Sequence, residues 1–151
     1  MFEWDEGLKH FMTHWFSGLM RGLEEVDDGA RETVLRACGK ACAHSYTVQR
    51  FQEARRDSAD LDGFLAQLAD KFSGARYEKI APHTIRVSYE QCTCDLVTHG
   101  LVTSPLLCEC SVHSLRENFE RSLETSVTVV IESSLLRGGN RCALLVSLEE
   151  E

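Results

Sequence analysis

Apolar positions change their period once along this chain. Up to about residue 74 they recur at steps of three and four, without a proline. That is the spacing of helices that bury one face. Trp4, Leu8, Phe11, Trp15, Leu19 and Leu23 form one stripe of a first helix, which Asp27-Asp28-Gly29 ends or breaks. A second helix is predicted from about Ala30 to Ala43, with Val34, Leu35 and Cys38 inward. Tyr46 to Arg56 reads as a short polar helix or a continuation of it. Ser58 is the predicted cap of a further helix that carries Leu61, Phe64, Leu65, Leu68 and Phe72 at core spacing.

After Gly74 the period becomes two. Arg76 to Ile80 is a candidate strand, and His83 to Gln91 alternates, with Ile85, Val87 and Tyr89 facing one way. Residues 92–110 hold Gly100 and Pro105 and read as a loop with a short helix. A helix is predicted from Cys110 or Ser111 to about Leu123, with Leu115, Phe119 and Leu123 inward. Ser126 to Ser134 is a strand, Arg137-Gly138-Gly139-Asn140 a hairpin turn, and Arg141 to Leu148 the return strand. Helices followed by an antiparallel sheet with one inserted helix define an α+β fold. The expectation is one domain over residues 1–151, helical to about 74 and cysteine-rich from about 75 to 148.

Charge narrows the partners. The net charge is -8 and the isoelectric point about 5.2. Neither nucleic acid nor an anionic membrane surface is expected to bind such a chain, since both need a basic footprint. No apolar run approaches the roughly 18 residues that span a bilayer. Glu3, Asp5 and Glu6 stand where a secretory leader would be basic. The expected home is therefore the cytoplasm. Thiols stay reduced there, so the seven cysteines, an odd number, call for metal binding, thiol chemistry or plain burial.

Four cysteines form two triplets, Cys92-Thr93-Cys94 and Cys108-Glu109-Cys110. On extended chain both thiols of such a triplet point the same way. Two triplets brought together would supply the four sulfurs of a tetrahedral zinc site. Small buried residues lining a pocket are the other reading, because free cysteine is often buried. Strand parity groups Cys92 and Cys94 with Arg86, Ser88 and Glu90, opposite the core face. Cys38 and Cys42 form a further pair, four apart on one helix face. Gly39 between them suggests close approach of other backbone. Cys142, His99 and His113 complete the candidate pocket residues. His10 and His14 also share a helix face, but a solvated polar face explains them.

Two function classes follow. The first is a module that binds a small molecule or a metal ion, zinc being the ion expected of reduced thiolates. The second is a thiol- or metal-dependent hydrolase of a small cyclic amide-like substrate, for example through Cys108 with His99 or His113. The aromatic N-terminal helix, with Phe2, Trp4, Phe11, Trp15 and Phe16, suits a homodimer contact or a core helix equally.

The runs Cys108-Glu109-Cys110-Ser111, Phe119-Glu120, Val127 to Ser134 and Arg137-Gly138-Gly139-Asn140-Arg141-Cys142 resemble the 4-vinyl-reductase-like domain family. They also resemble the related aminothiazoline-carboxylate hydrolase-like proteins. The resemblance covers roughly residues 85–148. It implies an α+β fold shared with haem-based nitric-oxide sensors and vesicle-tethering subunits, and a small-molecule- or metal-binding role. Cys108 and Cys142 match the family's cysteine positions best, whereas Cys92, Cys94 and Cys110 look like the extra cysteines of a small bacterial subgroup.

Overall fold

A computed structural model describes residues 5–149. Helix α1 (Glu6–Glu25) and helix α2 (Asp28–Cys42) are each opened by an aspartate whose carboxylate accepts a backbone N–H of the first turn. A π-helical turn, Ala43–Thr47, joins α2 to α3 (Val48–Arg56) without a break. Helix α4 (Leu61–Lys71) follows, then β1 (Ala75–Ala81) and β2 (Thr84–Tyr89). A one-turn helix α5 (Asp95–Thr98) precedes the long α6 (Leu106–Leu123). Strands β3 (Val127–Ser133) and β4 (Cys142–Leu148) complete the chain. The four strands make one antiparallel sheet in the order β1-β2-β4-β3. This is the expected α+β fold, with helices first and one long helix inserted between the strand pairs.

The main core lies where α3, α4 and α6 cover one face of the sheet. Phe51, Phe64, Leu68, Ile85, Val87, Phe119 and Val146 are buried there almost completely. Phe51 meets Phe119 edge-on at 5.3 Å, and Phe64 meets Phe119 at 6.1 Å. A second apolar cluster lies away from the sheet. It joins Met20 and Leu23 of α1, Leu35 of α2, Leu101 and Val102 of the connecting segment, and Leu107 of α6. Half-buried Phe16, Cys94, Leu96, Val97 and Cys110 pack around it.

Four local expectations change. On α1 the packed arc is Met12, Phe16, Leu19, Met20 and Leu23, while Phe11 and Trp15 stay 61% and 56% exposed. Both arcs are apolar, so spacing alone did not choose between them; Phe2 and Trp4 lie outside the described residues. Along α2 and into the π-helical turn the inward row is Leu35, Gly39 and Ala43, and Val34 and Cys38 turn outward. The α4 cap is Asp60, whose Oδ1 accepts the Gly63 N–H at 2.8 Å. The Ser58 hydroxyl instead donates to the Arg55 carbonyl. Finally, α6 begins at Leu106, four residues before Cys110. Pro105 stands just outside that first turn with φ -61, already helical. It starts a helix where the sequence reading took it for a loop signal.

Candidate functional site

The earlier start of α6 decides the fate of the second triplet. Successive helical residues are rotated by about 100°, so residues two apart point about 200° apart. Cys108 and Cys110 therefore diverge. The Cys108 thiol lies 2.9 Å from the Ser134 hydroxyl. The Leu135 N–H, next along the chain, donates to the Cys142 sulfur at 3.5 Å. Cys108 and Cys142 thus meet around Ser134–Leu135, just beyond β3.

Cys110 looks the other way, toward α2. A Cβ added at Gly39 would come within 2.6 Å of the Cys110 carbonyl oxygen, so the two helix backbones touch at that point. Cys38 and Cys42, four apart, flank the contact on α2. Burial pushes the Cys110 thiol up to about 12, and the charges of Cys42, Cys38 and Cys94 add to the rise. Burial also raises Cys94; the backbone amides of Leu96 and Val97 oppose that, and Cys92 and Cys42 reinforce it. Cys94 and Cys110 are thus within electrostatic reach of each other and of Cys42, while Cys38 reaches Cys110 and Cys92 reaches Cys94. Cys38 and Cys42 are exposed, the other three half-buried. All seven cysteines are free.

The set Cys92, Cys94, Cys108 and Cys110 is thus split between two places. The parity argument for Cys92 and Cys94 also lapses, since β2 ends at Tyr89. Among the described residues no group of three or more His, Cys, Asp or Glu side chains stands close enough, as placed, to hold a metal ion.

Of the two predicted histidines, only His113 stands at the Gly39 contact, where a Cβ added at Gly39 would come within 2.6 Å of its Cβ. The His99 ring Nδ1 is 2.9 Å from the Asp95 carbonyl oxygen, and the residue is exposed. His113 lines an open cleft of about 410 Å³ with Asp28, Arg31, Glu32, Glu109 and Val112. Burial lowers its pKa, which Glu32 and Glu109 partly offset. A second open cleft, about 490 Å³, is lined by Arg55, Leu61, His83, Leu123, Thr125, Leu148 and Glu149.

Sequence reasoning missed the polar row that sets α6 against the π-helical turn between α2 and α3. The buried Glu117 carboxylate accepts from Arg121 Nε at 2.8 Å and pairs with His44 Nε2 at 3.1 Å. Burial works to raise this carboxyl, but the bonds from Arg121 and His44 prevail and hold it below the ordinary value. The Thr47 hydroxyl is 3.0 Å from Oδ1 of buried Asn118. No motif marks these residues; only the period of α6 could have placed them on one side. The missed Ser134 carries no signal either.

No helix among the described residues is long and apolar enough to cross a membrane. No protein-family model matches the chain, and no curated protein matches it. Solved structures do. The phenol-responsive sensory domain of the transcription activator PoxR, with phenol, is 16% identical over 91% of this chain and 74% of that one, with a TM-score of 0.55. A trafficking protein particle complex subunit 3 from Naegleria fowleri, covalently bound to palmitic acid, is 13% identical over 94% and 95% of the two chains, at a TM-score of 0.47. The PoxR likeness is one of fold.

Proposed function

We propose that this chain is a small-molecule-binding module of the sensory type. Its ligand is a small, largely apolar compound taken up by the second apolar cluster. One observation carries the reading. The chain keeps an apolar cluster apart from its sheet-based core, closed by the 94–107 segment and bordered by the half-buried thiols of Cys94 and Cys110. A fold needs one core; a smaller second one ringed by half-buried apolar side chains suits a site that opens between helices. The likeness in fold to a domain that responds to phenol supports the same class of ligand. So does the resemblance of residues 85–148 to the 4-vinyl-reductase-like family.

The test is a thermal-shift screen of small aromatic and aliphatic probes, phenol among them, on the reduced chain. At least one probe should raise the melting temperature saturably. Leu107→Phe, which fills the cluster, should remove that rise while the variant stays folded by far-ultraviolet circular dichroism. A screen without a saturable stabiliser, or a rise indifferent to Leu107→Phe, would rule the proposal out.

A further inference from the structure

We propose that the outer face of α1 joins two copies of this chain into an antiparallel, two-fold dimer. The ligand reading plays no part in it, because the second apolar cluster takes another arc of the same helix.

Helix α1 is anchored at one end. Met20 and Leu23 are its buried residues, and the Arg31 guanidinium donates to the carbonyls of Leu23 and Glu24 in its last turn. From Glu6 to Leu19 none of its residues is buried. Yet Leu8, Phe11 and Trp15 follow one another there and are exposed, both aromatic rings by more than half. Gly18 and Gly22 continue the line. The steps are three, four, three and four, so the five positions fall within about 80° of the helix surface. With Met12, Phe16 and Leu19 on the neighbouring arc, apolar side chains take up much of the circumference. Such a helix is covered in a folded protein, and helices draw most of their stability from packing.

The two glycines serve no contact within the chain. A Cβ at either would meet nothing within 4 Å, and neither has a positive φ. Inside a helix each costs about 1 kcal/mol against alanine. Close approach from outside the chain accounts for both. Size and charge then choose a second copy as the partner. The face carries bulk in its first half and gaps in its second. An antiparallel copy sets Trp15 against the partner's Gly18 and Phe11 against the partner's Gly22, and symmetry repeats both contacts. Exposed Glu25 then falls beside the partner's first helical turn, where the helix dipole favours a carboxylate. A parallel copy would instead stack Trp15 on Trp15, leave glycine facing glycine, and put Glu25 beside Glu25. Two copies each of Phe11 and Trp15 bring roughly 500 Å² of aromatic surface to the contact. Leu8 and the glycine backbones carry it toward the roughly 1,000 Å² of a small specific interface. The dimer is therefore weak, with micromolar dissociation. The stripe holds no charged residue, whereas each chain carries a net charge of -8, so salt should tighten it by screening the repulsion.

Sedimentation velocity of the reduced full chain over a range of concentrations tests the proposal. The expected result is a monomer–dimer equilibrium that added salt shifts toward dimer. Trp15→Glu should weaken it at least about tenfold. Gly18→Leu covers the case in which Trp15→Glu fails to fold. It should raise the melting temperature of the dilute chain, because leucine is the better helix former, and still weaken the dimer at least about tenfold. Photo-cross-linking from p-benzoylphenylalanine in place of Phe11 should label the partner around Gly22. A mass that stays monomeric at about 100 μM, a dimer indifferent to both variants, or cross-links to the partner's residues around position 11 would each overturn the proposal. None of these outcomes bears on the thermal-shift test of ligand binding.

Discussion

Gly39→Ala measures how much of the α2–α6 packing hangs on one contact. The new Cβ would lie 2.6 Å from the Cys110 carbonyl oxygen and from the His113 Cβ, and 2.9 Å from the Ser114 nitrogen. Ordinary van der Waals contact begins at 3.4 Å. Two of the three atoms are backbone and the third, a Cβ, is bound to it rigidly, so α2 and α6 must part by close to an ångström. Overpacking of this kind costs about 1–3 kcal/mol. Replacing glycine by alanine inside a helix returns about 1 kcal/mol. The net expectation is a loss of up to about 2 kcal/mol, or up to roughly 8 °C in melting temperature for a chain of this size. Gly22→Ala is the matched control. A Cβ at Gly22, in α1, meets nothing within 4 Å, so the same change should stabilise by about 0.5–1 kcal/mol. Thermal unfolding followed by far-ultraviolet circular dichroism gives both values. If Gly39→Ala raises the melting temperature as Gly22→Ala should, the close α2–α6 contact is wrong.

Other expectations are as direct. Phe119→Ala, which empties the ring that Phe51 and Phe64 meet, should cost about 3–5 kcal/mol in denaturant unfolding. Asp60→Ala should cost about 1 kcal/mol through the lost α4 cap, and Ser58→Ala less than about 0.5 kcal/mol; the reverse order would restore Ser58 as the cap. The Glu117 carboxyl is held below its ordinary value of 4.5, so its contribution to stability is present above that pH and is lost as pH falls through the folded-state value. Glu117→Gln should therefore flatten the acid side of the stability profile; an unchanged slope would mean the carboxylate is not held in this way. With the Cys110 thiol pushed up to about 12 and half-buried, alkylation at neutral pH should reach exposed Cys38 and Cys42 well before Cys110. Peptide mass spectrometry reads the order.

Much of the fold was legible because period and type agree there. Phe64, Leu65 and Leu68 on α4, Ile85 and Val87 on β2, and Leu115 and Phe119 on α6 are all buried as their spacing requires. Gly39 was also legible as a place of close approach. The misreadings share one physical cause. Spacing defines an apolar arc on a helix but not the neighbour that will cover it. That is why α1 packs Phe16 and Met20 rather than Phe11 and Trp15, and why α2 turns Cys38 outward. The candidate site changed for a related reason. Cys-x-Cys converges on extended chain and diverges on a helix, and Pro105 moved Cys108 and Cys110 from the first case to the second. Only the tertiary contact between α2 and α6 brings Cys38 and Cys42 toward Cys110.

The most direct test of small-molecule binding is backbone amide NMR of the reduced chain during titration with the best probe from the thermal-shift screen. Saturable shift changes should centre on Leu23, Leu35, Leu101, Val102 and Leu107, the residues of the second cluster, with the main core around Phe64 and Val146 little changed. Changes centred instead on the main core, on the open cleft beside His113, or on no residue in particular would contradict the account.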